Sequence, residues 1–268
     1  LFVVPNAKNI APKGDTLPVT QDLKNLFSHP QLARLNISVL LLHMLITLLF
    51  VQIPVFLVDL NWPLAKHWQA YSVVLAISIV GLIGLMALAK KYKNAVLQIS
   101  VAGLAVVFAL MIFSQQSIVY LLLLICLFFS CFNYLEANFP AMVSNIAPAG
   151  KKGSAMGVYA SFQFFGAFIG GVLSGSIGEL LGIQWVFVLA SILCCVWLLL
   201  IRGLSATKRL KRYTLKVMTQ TTSLTLQQLS ELEGVVDITV VPNEHVLYLK
   251  AEQNFDIQQA RLVLNLKD

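Results

Sequence analysis

Apolar and polar positions fall into long blocks along the first four-fifths of this chain, not into short periods. Six apolar stretches stand out: Leu35–Val58, Tyr71–Ala89, Ala95–Phe113, Ile118–Pro140, Ala155–Leu181 and Trp185–Ile201. Each has at least the ~17 residues needed to cross ~30 Å of hydrocarbon at ~1.5 Å per residue. The pattern predicts six membrane-spanning helices. Residues 1–33 read as a connector, broken early by Pro5, Pro12, Gly14 and Pro18. A short helix is expected over Thr20–Ser28, and Pro30 stops it.

After Arg212 the blocks give way to short elements. Tyr213–Thr219 alternates as a strand. Leu224–Glu233 places Leu226, Leu229 and Leu232 on one helical face. Thr225 and Gln228 are spaced for a capping box, and Gly234 is placed to end the helix. Val235–Val241 predicts a strand with Val236, Ile238 and Val240 on one face. Pro242–His245 turns the chain into a third strand, Val246–Ala251. Asp256 caps a last helix carrying Ile257, Ala260 and Val263, which leaves little room for a strand near Leu264–Lys267. The order β-α-β-β-α, with that last strand, is a split β-α-β, ferredoxin-like arrangement. The expected fold is an all-α polytopic bundle of six transmembrane helices plus a small α/β (β-α-β-β-α-β) cytosolic domain. The expected divisions are 1–33, 34–203 and 204–268.

Charge changes the picture through its location. The chain is 58% apolar with a mean hydropathy of +0.79 and a net charge of +7. Residues 1–212 hold 15 Lys/Arg and 5 Asp/Glu, whereas residues 213–268 hold 4 and 7. Fourteen of those 15 cations lie on the N-terminal segment, after the second and fourth stretches, and after the sixth; Lys66 alone lies between the others. This positive-inside asymmetry places both termini in the cytoplasm and fits six crossings. Basic residues that follow topology argue against nucleic-acid binding. The juxtamembrane cluster Lys208, Arg209, Lys211 and Arg212 reads as a topology anchor, with weak attraction to anionic lipid. A signal peptide is excluded by the number of long stretches. The first residue is Leu1, not Met, so more chain is expected upstream.

Candidate chemistry is sparse. Cys126, Cys131, Cys194 and Cys195 all lie within spans, so no disulfide framework or thiolate metal site is expected. The tail loop Thr219–Ser223 has no Cys-x-x-Cys. No phosphate-binding Gly-x-x-x-x-Gly-Lys loop is present, and no nucleophile–base pair stands out. No metal, no cofactor and no enzymatic activity are therefore expected.

Polar groups gather in the first and fourth spans. His43, Thr47, Phe50 and Pro54 share one helical face, and Ser130, Asn133, Glu136, Pro140 and Ser144 form another. Asp59 and Glu179 sit at span ends, whereas Glu136 lies at hydrocarbon depth if its helix runs past Pro140 to Asn145. An ionisable group there costs roughly 3 kcal/mol, so it must face a cavity or a partner. A carboxylate in poorly hydrated surroundings holds its proton more tightly than in water, and histidine titrates near neutrality unaided. Glu136 and His43 are thus candidates for proton or substrate handling; helix-to-helix hydrogen bonding for Glu136 and a satisfied core position for His43 stay open. Asn133, one turn from Glu136, and Tyr159 and Gln163 on the fifth span are candidate cavity residues; helix packing is the alternative for the latter two. The fifth span also carries Gly157, Gly166, Gly170, Gly171 and Gly175. Two Gly-x-x-x-Gly spacings there suit close helix contact. A rhythm of polar, small-residue and bland spans, repeated twice, fits the paired triplets of transporters.

Three segments carry a family resemblance: Leu135-Glu136-Ala137-Asn138-Phe139-Pro140, the stretch from Ala147 through Lys151-Lys152-Gly153 to Tyr159, and Gln163 through Gly170-Gly171. Together they resemble the carboxy-terminal half of a major facilitator superfamily transporter, nearest the YajR-like branch of bacterial drug/proton antiporters, which also carries a ferredoxin-like domain after its last helix. The resemblance implies helices seven to twelve of a two-bundle fold, a missing N-terminal six-helix half, and location in the bacterial inner membrane. It further implies partners in membrane lipids, protons and a small-molecule substrate, with proton entry driving export of hydrophobic, drug-like compounds. The first and fourth helices of each bundle line the cavity in that superfamily, which agrees with the placement of His43 and Glu136. The loop Gly84–Lys93 keeps basic residues but lacks the family's acid, so antiport comes from the branch alone. A facilitator or symporter for a small metabolite, or a membrane sensor using its tail domain, are the alternative readings.

Overall fold

The computed structural model describes residues 26–113, 117–148, 151–204, 210–217, 223–241 and 246–264. Most of the expected N-terminal connector, Lys208 and Arg209, the loop 219–222, the turn 242–245 and the end of the expected last strand lie outside the described residues. The chain divides into two compact units. One contains residues 27–143 and 157–206; the other contains 144–156 and the chain from Thr207.

Among the described residues, five helices are long and apolar enough to cross a membrane. They are α1 (Pro30–Asp59), α2 (His67–Met111), α3 (Ile118–Ile146), α4 (Lys152–Leu180) and α5 (Ile183–Ile201). Pro30 opens α1 at its first position, where its missing N–H costs nothing, and the His29 ring nitrogen accepts from Leu32 N at 3.4 Å. α3 runs through Pro140 to Ile146.

The expected second and third spans both lie on α2, which departs from helical backbone at Tyr92 (φ −127°, ψ 51°). The two halves fold back on each other there. Val74 O receives Cys126 Sγ at 3.9 Å, and Ser78 O receives Ser130 Oγ at 3.3 Å. The Phe108 and Phe128 rings are 5.7 Å apart. In a straight helix Val74 and Phe108 would be separated by about 50 Å, yet both meet the same turn of α3. The first half of α2 therefore runs parallel to α3 and the second half antiparallel. The two expected spans are thus two helices that meet across a kink at Tyr92. The break falls among Lys90, Lys91 and Lys93, with the Lys91 ammonium 5.0 Å from the Tyr92 ring centroid.

α1 and α4 pack side by side along a seam of small residues. A β-carbon at Gly166 would strike the Leu40 carbonyl, and one at Gly170 the Met44 backbone. Ser174 Oγ donates to Leu48 O at 2.9 Å, and Gly178 faces the Gln52 amide. The offset is the same at every rung, so the helices are parallel, with four-residue ridges in contact. Gln52 Nε2 adds donations to Ser174 O (3.0 Å) and Ser174 Oγ (2.9 Å). Of the other expected packing glycines, Gly171 has only Thr47 Cγ2 at 3.6 Å, and Gly157 and Gly175 face open space. The seam takes one glycine pair and continues through Ser174, because a four-residue repeat stays on one helical face and a step to Gly171 leaves it. α5 packs antiparallel to α1 through Trp197 Nε1 to Ser38 Oγ (3.0 Å) and the stacked Phe56 and Phe187 rings.

In the second unit, β1 (Lys211–Lys216), β2 (Val235–Val241) and β3 (Val246–Ala251) form an antiparallel sheet in the order β1-β3-β2. β1 and β2, joined by α6 (Ser223–Glu231), are parallel with β3 between them, a split β-α-β. α6 and α7 (Ile257–Val263) cover one face around Leu215, Leu229, Leu247, Leu249 and Ala260. The Asp256 carboxylate caps α7, accepting from Gln258 N at 3.0 Å. Three details depart from expectation. α6 starts at Ser223, so Thr225 lies inside its first turn and not at the start of the helix. α6 also ends at Glu231, and Gly234 (φ +92°) instead reverses the chain into β2. A register shift between Val235 and Asp237 is a bulge that turns Val236 outward, 54% exposed; Val235, Ile238 and Val240 face the core.

Candidate functional site

α1, α3 and α4 bring three of the candidate side chains together. His43 Nδ1 lies 3.2 Å from Val39 O on its own helix. His43 Nε2 lies 2.7 Å from Gln163 Nε2 of α4 and 3.7 Å from Glu136 Oε2 of α3. The Phe132 ring meets the imidazole edge-on at 5.9 Å. The His43 side chain is 15% exposed and that of Glu136 33%. The Glu136 Oε2 atom is itself buried with no hydrogen-bond partner among the described residues.

This geometry fits one histidine tautomer. A backbone carbonyl can only accept, so Nδ1 carries the hydrogen and donates it to Val39 O. Nε2 then presents a lone pair, which accepts from the Gln163 amide. A second proton at Nε2 would face two amide hydrogens, and the nearby acceptor is the Glu136 carboxylate. His43 Nε2 thus joins α1 to α4 through Gln163 and lies beside the Glu136 carboxylate of α3.

Tyr159, one turn before Gln163, is 2% exposed; its hydroxyl has no hydrogen-bond partner among the described residues and lies within electrostatic reach of Glu136. Asn133 is half-buried on α3, and the structure gives it no hydrogen bond to the cluster. Thr47 bonds back to the His43 carbonyl at 2.9 Å, and Phe50 stacks edge-on with Phe129 at 5.8 Å, so these neighbours serve helix and ring contacts. The buried Gln52–Ser174 pair was not anticipated. Its signal was the spacing of Gly166, Gly170, Ser174 and Gly178. Among the described residues, no cluster of His, Cys, Asp and Glu could hold a metal ion.

Five long apolar helices among the described residues, three of which share an acid–histidine–amide cluster, are those of a multi-pass membrane protein. The sequence matches the Major Facilitator Superfamily over residues 1–163 and 87–231, and the chain belongs to that family of multi-pass transporters, not enzymes. It is 30% identical over 268 residues to the "Inner membrane transport protein YajR" of Escherichia coli (strain K12), covering 97% of this chain and 59% of that protein. It is also 30% identical over 173 residues to an "Uncharacterized transporter" of Buchnera aphidicola subsp. Acyrthosiphon pisum, covering 63% of this chain and 44% of that one. A second uncharacterized Buchnera transporter, from the subspecies Baizongia pistaciae strain, is 26% identical over 168 residues, covering 58% and 41%. The chain thus spans about three-fifths of the length of the first of these relatives and less than half of the others.

Proposed function

We propose that this chain is the C-terminal part of a proton-coupled secondary exporter of small hydrophobic compounds, working by alternating access in a bacterial inner membrane. In this reading the two halves of α2 cross separately, giving six crossings over residues 34–203. Residues 1–33 link them to an upstream bundle, and residues 204–268 form a cytosolic, ferredoxin-like domain. The likeness to an inner membrane transport protein supports the location. One observation carries the coupling: His43, Glu136 and Gln163, from three helices, meet within 3.7 Å.

Neutral His43 takes the Gln163 amide hydrogen and ties α1 to α4. A proton arriving at Nε2 displaces that bond, because N–H cannot face N–H. The imidazolium then pairs with Glu136 and ties α1 to α3. Loss of the proton to the other side restores the first pattern. Each exchange rewires contacts among cavity helices, which is how a proton gradient can bias two conformations.

The test uses the full-length transporter in proteoliposomes with an imposed pH gradient and ethidium as the first fluorescent probe. Gradient-dependent ethidium movement is expected in the unsubstituted protein and is lost in Glu136→Gln and His43→Gln. Unchanged transport by both variants at every pH removes the coupling. Tail-dependent partner binding with no flux of any probe favours a sensor instead.

A further inference from the structure

The C-terminal sheet has a covered side where water is expected. Along β3, Leu247, Leu249 and Ala251 face the helices α6 and α7. Side chains alternate along a strand, so Val246, Tyr248 and Lys250 face the other way. Among the described residues no helix of this small domain covers that second face, and such a face in an antiparallel sheet ordinarily meets solvent. Yet Val246 is 5% exposed and Lys250 2%. A lysine is almost never buried to this degree unless its charge is matched.

Lys250 finds its partners outside the sheet. Its Nζ donates to Asn145 O at 2.8 Å and to Ala147 O. Asn145 stands in the last turn of α3 and Ala147 just beyond it, itself fully buried. The last carbonyls of a helix have no intrahelical donors and carry the negative end of the helix dipole. An ammonium with three hydrogens suits that end well. Asp237 is the residue directly across from Lys250 on β2. Lysine at this strand position is therefore a long-reach C-cap supplied by one part of the chain to another.

We infer that the open face of the C-terminal sheet is a docking surface for the connection between α3 and α4. Lys250 is its anchor, holding the carbonyls of Asn145 and Ala147. This docking stands whatever compound is carried, so it can fail or hold independently of the proposed transport activity.

Two measurements on the full-length protein in lipid nanodiscs test it. The first is acetylation with a membrane-impermeant amine reagent, read by mass spectrometry. Lys250 reacts at least about tenfold more slowly than exposed Lys216 on β1, because its ammonium is sequestered by hydrogen bonds worth that factor or more. The second is hydrogen exchange in Lys250→Met, which keeps the side-chain length and loses the charge. Exchange over residues 141–148 rises about tenfold while β1 and β3 keep their protection. Equal labelling of Lys250 and Lys216 overturns the inference, as does unchanged exchange over 141–148 in the variant. Should Lys250→Met unfold the sheet, protection of β3 is lost, and the labelling of the unsubstituted protein decides.

Discussion

Gly170 and Gly171 are neighbours in sequence, and alanine at the two positions should act in opposite directions. A β-carbon at Gly170 would lie 2.9 Å from Met44 Cα and nearer still to the Met44 carbonyl. Those are backbone atoms of α1 and cannot swing aside, so α1 and α4 must separate. Overpacking of this kind costs about 1–3 kcal/mol. The greater helix preference of alanine returns about 0.5–1 kcal/mol. At Gly171 the added methyl would sit 3.6 Å from Thr47 Cγ2, an ordinary contact, so only the helix preference remains. That term cancels between the two variants, leaving a difference of about 1–3 kcal/mol set by the clash alone. The assay is unfolding of the full-length protein in mixed micelles by added SDS, followed by tryptophan fluorescence. Gly170→Ala should unfold at lower SDS than the parent, and Gly171→Ala at the same or higher SDS. Coincident midpoints, or a reversed order, would refute the close parallel seam.

Three further outcomes follow from contacts already described. Gln52→Leu should cost about 1 kcal/mol, since interhelical hydrogen bonds in membranes contribute about that much; in a Ser174→Ala background the same change should cost less, measured by a double-mutant unfolding cycle. Tyr159→Phe removes a buried hydroxyl without a partner, so thermal stability should hold or rise, while a fall in gradient-driven ethidium flux would show that the hydroxyl serves Glu136. Val235→Ala should destabilise the C-terminal sheet by about 1–3 kcal/mol and Val236→Ala by no more than about 0.5 kcal/mol, read as the loss of β3 protection in hydrogen exchange.

What could be read from sequence followed the range of the interaction. Apolar blocks located the spanning helices because lipid imposes length directly. Glu136 and His43 stood out because ionisable groups at that depth are costly, and their meeting required only that the first and fourth spans be adjacent. Gln163 was in view, but its bond to His43 Nε2 depends on the rotation of α4, which the Gly166–Gly178 seam fixes. The reversal near Tyr92 was legible in outline, since the basic residues Lys90, Lys91 and Lys93 interrupt the apolar run between two helices. Val236 was misassigned because a bulge depends on the partner strand as much as on its own residues. Lys250 gave no signal: an alternating strand says which way a side chain points and nothing of what arrives to cover it.

Pro140 sits four residues after Glu136 on α3. Proline has no N–H to return to the carbonyl one turn back, and that carbonyl belongs to Glu136. The turn presenting the acid is thus a missing rung in the ladder of α3, and a helix flexes most readily at such a place. Tilting the segment beyond it would move the last turns of α3 while the carboxylate stays with the body of the helix, and the freed oxygen would offer water a foothold beside the acid. Hinge and acid would then share a single turn.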